Sequence, residues 1–130
     1  SAFGEHVIGK EVETAMQEVC QENKVRVKEF TVAPQIDPQQ GLPFHQWFIE
    51  FENPPTNMQD FAKKLDQSMQ EQNVYYEDLL KGSVLRTLVI SSVADGGFQK
   101  YMKSIGRLGG QNKVPRLSND RKIVDKLPLK

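Results

Sequence analysis

Residues 25–33 read Val-Arg-Val-Lys-Glu-Phe-Thr-Val-Ala, and residues 44–52 read Phe-His-Gln-Trp-Phe-Ile-Glu-Phe-Glu. Both runs are rich in β-branched and aromatic residues, and their apolar and polar residues alternate as in strands. The alternation of the first run changes phase near Lys28 and Glu29, where a β-bulge would restore it. Residues 34–43 contain three prolines and a glycine, which exclude them from a central strand. We therefore predict an antiparallel hairpin with a long loop.

Helical periodicity lies on both sides of this hairpin. Apolar residues between Lys10 and Asn23 recur at i, i+3, i+4 and i+7, which predicts a helix with one buried face. After the hairpin, Thr56 is expected to cap a second helix. A short helix is predicted from Asn73 to Gly82, with Gly82 as its left-handed end.

The remaining segments complete an α+β pattern. Glu5 to Ile8 is expected to form a short strand or an extended lead-in, and Val84 to Val93 is apolar enough to predict the central strand of the sheet. Asp95 is expected to cap a further helix, and residues 122–124 to form a short strand. The predicted fold is a ferredoxin-like βαββαβ sheet with helices packed on it, plus an extra helix and a basic C-terminal tail.

Composition restricts the class of function. The chain of 130 residues has equal numbers of acidic and basic residues, 17 each, which argues against a dedicated nucleic-acid or membrane-surface binder. No apolar run is long enough to span a bilayer. The single cysteine, Cys20, excludes an internal disulfide and a cysteine zinc cluster, and we interpret it as a buried, inert thiol in a reducing cytoplasm. His6 and His45 have no ligand-spaced partners, so no metal site is predicted.

The C-terminal quarter is locally basic. Nine lysines and arginines follow residue 99: Lys100, Lys103, Arg107, Lys113, Arg116, Arg121, Lys122, Lys126 and Lys130. They lie in and around a glycine-containing run at residues 106–113, and glycines with a nearby lysine can approach a phosphate closely. A solvated tail with a flexible turn explains the same residues, so the sequence alone leaves both interpretations open.

Two other functions are consistent with the predicted fold. A ferredoxin-like sheet can bind RNA by stacking bases on exposed aromatic residues, and Phe48 to Phe51 faintly resembles such a strand. The face that carries Trp47 could instead bind a protein partner. The chain would in the first case be a stand-alone ferredoxin-like binding module, either RNA-binding or small-molecule regulatory, and in the second a partner-interaction domain.

Two stretches resemble the C-terminal domain of bacterial relatives of the auxin-responsive acyl acid–amido synthetases, which belong to the acyl-adenylate-forming enzymes. One is residues 2–8, Ala-Phe-Gly-Glu-His-Val-Ile, followed by Glu-Val-Glu at 11–13. The other is residues 109–117, Gly-Gly-Gln-Asn-Lys-Val-Pro-Arg-Leu, which is similar to the family's Lys-x-Pro-Arg signature. Asn112 stands where plant members usually have tyrosine, which puts a stacking role there in doubt. The Gly-Lys-x-x-Arg ending of acyl-CoA synthetases is absent, which disfavours a coenzyme A reaction.

The resemblance implies a two-step ligase. A carboxylic acid reacts with ATP to give an acyl-adenylate, and an amine, typically an amino acid, then displaces AMP. Residues 1–8 would be a hinge-proximal lead-in and residues 9–130 a mobile lid. The lid would close on an N-terminal domain, absent from these 130 residues, that binds ATP, Mg²⁺ and the acyl acid.

The resemblance also implies roles for individual residues. Lys113 would be the catalytic residue and would contact phosphate, with Gln111 beside it. Arg116 would hold the loop or add a second positive contact to phosphate. Gly4 and Glu5 would form the hinge. The isolated domain is predicted to be inactive, with no nucleic-acid or membrane partner.

Overall fold

The structure is a computed structural model that describes residues 7–107, 109 and 112–130. It confirms the predicted α+β class, since helices pack on a β-sheet. The elements are α1 (Gly9–Asn23), β1 (Arg26–Gln35), β2 (Phe44–Asn53), α2 (Met58–Gln72), α3 (Val74–Lys81), β3 (Val89–Ser92), α4 (Gly97–Ser104) and a 3₁₀ turn (Val124–Lys126). No helix in the described ranges has the length and apolar character needed to cross a membrane.

The predicted hairpin and its bulge are both confirmed. β1 and β2 pair antiparallel, with Val32 opposite Trp47. The pairing passes from Val27 opposite Phe51 directly to Glu29 opposite Glu50. Lys28 is therefore the extra residue of the bulge, which brings the two halves of β1 back into phase.

The order of strands differs from the expected one. β2 is the middle strand of the described sheet, with β1 antiparallel on one side and β3 parallel on the other. β3 has four half-buried residues, so the prediction of a central strand at Val84 to Val93 is wrong. Leu85 and Leu88 are buried but precede the strand. They are apolar because they pack in the core that α1, α2 and α3 share, and not because they pair with another strand.

Two further predicted strands are not strands in the described residues. Val7 and Ile8 are not in a strand, but Ile8 has extended backbone (φ −120°, ψ 155°), as in the alternative prediction of an extended lead-in; Glu5 lies outside the described residues. The segment at Val124 is a 3₁₀ turn instead of a strand. The described chain therefore begins with a helix where the ferredoxin-like order expects a strand.

Both faces of the sheet are covered. One face packs against α1, α2 and α3 through a core that includes Val12, Val19, Phe30, Trp47, Ile49, Phe61, Leu65 and Tyr76. The opposite face packs against α4 and the C-terminal segment through Phe48, Val93, Phe98, Tyr101, Val114, Val124 and Leu127. The C-terminal segment is thus packed against the domain.

Helix ends depend on residues close to the predicted ones. Asn57, one residue after Thr56, caps α2 by accepting a 2.9 Å hydrogen bond from the Asp60 amide. Gly82 follows α3 as predicted but has a negative φ, and the left-handed residue is Ser83 at φ 56°. Asp95 does not cap α4. The N-cap residue is Gly96, and the amides of Gly96 and Phe98 donate to the carboxylate of Glu50 on β2.

Candidate functional site

The segment that contains the Lys-x-Pro-Arg sequence docks on β1. The Val32 amide donates to the Arg116 carbonyl at 2.9 Å, and the Ser118 amide donates to the Val32 carbonyl at 2.9 Å. The Thr31 hydroxyl donates to the Pro115 carbonyl at 2.6 Å, and Val114 is buried. Residues 114–118 are therefore held along β1 by backbone hydrogen bonds and by one core side chain.

Arg116 fastens this segment to two other elements. Its guanidinium donates to Glu29 on β1, to Glu13 on α1 at 3.0 Å and to the Phe30 carbonyl at 2.9 Å. The guanidinium also lies 4.4 Å from the centre of the Phe30 ring. Burial opposes the charge of Arg116, but the hydrogen bonds and charges of Glu29 and then Glu13 outweigh it and raise its pKa.

Lys113 lies immediately before the buried Val114 and is exposed. Among the residues that the structure describes, its side chain has no hydrogen bond or ion pair, so its ammonium can contact a ligand. Gln111, Gly4 and Glu5 lie outside the described residues, so their predicted roles stay predictions. The structure thus places Lys113 and Arg116 on one segment, with Arg116 bound into the domain and Lys113 at the surface.

A cleft of about 470 Å³ lies between the β1 bulge, the start of α4 and the chain that follows α4. Lys28, Glu29 and Glu50 contribute charges from the sheet, and Arg107 contributes one from the other side. Glu50 is 4% exposed, and its carboxylate accepts hydrogen bonds from the Gly96 amide at 2.9 Å and the Phe98 amide at 3.3 Å. The cleft therefore contains a buried, fixed carboxylate beside exposed cations.

Sequence reasoning missed Glu50 and the cleft around it. The available signal was a carboxylate between the apolar residues Ile49 and Phe51, where an acid that is buried needs a partner. Its partners are the backbone amides of Gly96 and Phe98, which lie more than forty positions later in the chain. Spacing along the sequence could not identify it.

The other residues that the sequence singled out are structural in the described chain. Trp47 is 1% exposed and stacks on Phe30, so the interpretation of its face as a partner surface is wrong. Burial lowers the pKa of His45 to about 4, which keeps it neutral beside Tyr76. Burial raises the pKa of the half-buried Cys20 to about 11, consistent with the predicted inert thiol. The described residues contain no cluster of three or more metal-ligating side chains.

These residues define an α+β domain whose C-terminal segment is pinned to its first strand and presents an exposed lysine. A family model described as the GH3 family C-terminal domain matches residues 10–122. The chain belongs to this family, which confirms the family resemblance seen in its sequence; the expected relationship to bacterial members stays a prediction. No curated protein sequence matches the chain significantly.

Solved structures agree with this fold. A GH3.15 acyl acid amido synthetase superimposes with a TM-score of 0.66 at 18% identity, covering 93% of this chain and 22% of that protein. A second structure, AtGH3.15 acyl acid amido synthetase in complex with 2,4-DB, gives a TM-score of 0.64 at 18% identity over 90% of this chain. The chain spans about a fifth of the length of these structural relatives, 22% of each.

Proposed function

We propose that this chain is the C-terminal domain of an ATP-dependent ligase that joins a carboxylic acid to an amine, of which an amino acid is the expected class. The observation that carries the proposal is the exposed Lys113, without an ion-pair partner among the described residues, on a segment fixed to the sheet. Membership in the GH3 C-terminal family and structural likeness to acyl acid amido synthetases support it.

The proposed reaction has two steps. A carboxylate oxygen of the acid attacks the α-phosphorus of ATP, and the bond from that phosphorus to the bridging oxygen breaks to release pyrophosphate. The neutral amine then attacks the acyl carbon, the bond from that carbon to the phosphate oxygen breaks, and AMP leaves. The amine loses a proton as the amide forms.

Lys113 would act in the first step. Negative charge accumulates on the phosphate oxygens and on the departing pyrophosphate during this attack, and an ammonium placed beside them stabilises the transition state. A lysine whose ammonium is unpaired does not first have to break an ion pair. Arg116 is bound to Glu13 and Glu29, so its contribution would be to hold the segment, with phosphate contact as the second role predicted for it.

The remaining groups of the reaction would come from an N-terminal domain. That domain would bind ATP and the acyl acid, and this domain would close over it as a lid about a hinge at Gly4 and Glu5. Closure would exclude water that hydrolyses the acyl-adenylate. Magnesium is expected to arrive with ATP, and the described residues contain no cluster of metal-ligating side chains that would hold it on this domain.

The test is carboxylate-dependent exchange of pyrophosphate into ATP by the longer protein, with a panel of aromatic and aliphatic acids. Lys113→Ala should lower the exchange rate by about 10²–10³-fold because it removes one charge that stabilises the transition state. Lys122→Ala is the matched control, since Lys122 is also exposed and lies on the same C-terminal segment. Its exchange rate should equal that of the unmodified protein.

The possible outcomes separate the site from the function. Exchange that is unchanged in Lys113→Ala retains the ligase but removes Lys113 from its chemistry. Failure of every acid to support exchange, together with failure to bind ATP, rejects the ligase and favours a binding module. Steady ATP turnover by residues 1–130 alone contradicts the prediction that the isolated domain is inactive.

A further inference from the structure

The cleft beside the β1 bulge contains unpaired positive charge. Lys28 and Arg107 line it and are exposed, and neither has an ion-pair partner among the described residues. Some other basic side chains of the domain are paired with acids, as Arg121 is with Asp125 at 3.1 Å. The two cations are therefore available to a carboxylate.

The same cleft contains negative charge that is held in place. Two backbone amides fix the carboxylate of Glu50, and this buried group has no ion pair among the described residues. Each of its oxygens has a second lone pair that can accept a further hydrogen bond. Glu29 adds a second carboxylate to the cleft. It is bound to Arg116, whose guanidinium also binds Glu13.

An apolar surface lies next to these charges. Phe98 and Met102 on α4 line the cleft, and both belong to the core that covers this face of the sheet. A cleft of about 470 Å³ falls within the range of small-molecule sites, about 300–1,000 Å³. Its charges and apolar surface suit a ligand that carries both signs of charge and an apolar group.

We propose that this cleft binds a free α-amino acid with an apolar side chain. The carboxylate of the ligand contacts Lys28 and Arg107, and its ammonium group lies at the Glu50 side. Its side chain lies on Phe98 and Met102. Binding here requires neither ATP nor Lys113, so it is independent of the proposed ligase function; only a role of the bound amino acid as amine substrate or effector rests on that function.

The first experiment is an NMR titration of the 130-residue chain with L-phenylalanine, in which the dispersion of the amide signals verifies folding. Two analogues separate the charges: 3-phenylpropionic acid lacks the ammonium group, and phenethylamine lacks the carboxylate. Phenylalanine should produce saturable shifts at the amides of residues 28, 96 and 98, with a Kd of about 1 mM. Each analogue should bind at least ~10-fold more weakly, because each loses one charge-assisted contact.

Variants test the two cations without altering the core. Lys28→Ala and Arg107→Ala should each weaken phenylalanine binding ~10-fold and leave phenethylamine binding unchanged. Lys63→Ala and Arg26→Ala are the controls, since both residues are exposed and lie outside the cleft. The proposal is overturned if no saturable shifts occur at these amides up to the solubility limit of phenylalanine. Equal binding of all three compounds, or unchanged binding in both cleft variants, also overturns it.

An amino acid in this cleft can be the amine substrate or an effector. In the longer protein, a higher KM for phenylalanine in Lys28→Ala with unchanged pyrophosphate exchange identifies a substrate site. A change in exchange when phenylalanine is added, lost in Lys28→Ala, identifies an effector site, because exchange consumes no amine. If phenylalanine affects neither reaction through Lys28, both of these roles are excluded, while the binding proposal itself is decided by the titration.

Discussion

Replacing Arg116 by alanine should destabilise the domain more than replacing the basic residue of a solvent-exposed ion pair. The side chains of Arg116 and Glu29 are 24% and 23% exposed, so solvent screens their ion pair only partly. A charge-assisted hydrogen bond of this kind contributes about 1.5–3 kcal/mol, and the contact with the Phe30 ring adds about 0.5–1 kcal/mol. Glu13 is 59% exposed, and its bond adds no more than about 0.5 kcal/mol.

We therefore expect Arg116→Ala to lower the free energy of unfolding by about 3 kcal/mol. Arg116→Lys keeps the charge but loses the planar fork that reaches several acceptors, and should cost about half as much. Arg26→Ala is the control, because Arg26 is 73% exposed and lies 3.8 Å from an exposed Glu52. It should cost less than about 0.5 kcal/mol.

Urea unfolding followed by circular dichroism measures these differences. With an m-value of about 1.5 kcal/mol/M, Arg116→Ala should move the midpoint down by about 2 M without changing m. A double-mutant cycle should give a larger coupling energy for Arg116 with Glu29 than with Glu13. A loss below about 0.5 kcal/mol in Arg116→Ala, or equal coupling to the two acids, would refute the reasoning.

Two further changes test the two cores. Burial lowers the folded pKa of His45 to about 4, below its ordinary value of 6.5, so the folded state binds fewer protons than the unfolded state. The contribution of neutral His45 to the free energy of unfolding is complete above pH 6.5. As the pH falls towards 4 this contribution is lost, and the free energy of unfolding decreases by on the order of 3 kcal/mol. Urea midpoints between pH 7 and 4 should fall more steeply for the unmodified chain than for His45→Gln, and parallel profiles would contradict this. Gly97→Ala would place a Cβ 2.6 Å from Val93 Cγ1, and should cost about 1–3 kcal/mol in the same assay. Val93→Ala makes room for it, so a double variant as unstable as the sum of the single ones would argue against this clash.

The parts of the fold that were predictable are those encoded locally. The hairpin follows from alternation within two short runs, and the bulge from a change of phase at Lys28 and Glu29. α1 was predicted close to its observed bounds from the apolar stripe between Lys10 and Asn23, and α3 from the Gly82 that follows it. These signals lie within one or two turns of the residues that they organise.

The parts that were mispredicted depend on distant partners. Leu85 and Leu88 resemble a central strand because they are apolar, but they contact the helical core before β3 begins. Asp95 has a suitable side chain for a helix cap, yet the Gly96 amide at the start of α4 donates to Glu50, 46 residues away in sequence. Sequence periodicity reports which residues are buried and does not identify the residues that bury them.

The candidate site combines both kinds of information. The spacing of Lys113 and Arg116 is visible in the sequence, but the acids that hold Arg116 lie 87 and 103 residues away along the chain. The bonds from Val32 and Thr31 fix the backbone between them, so the position of Lys113 follows from the docking of Arg116. One residue inserted between the two would move the lysine along the segment by about 3.3 Å, which exceeds the tolerance of a hydrogen bond. The proposed chemistry of Lys113 therefore requires the Lys-x-Pro-Arg spacing as well as the residues themselves, since the arginine anchors the segment and the lysine extends from it.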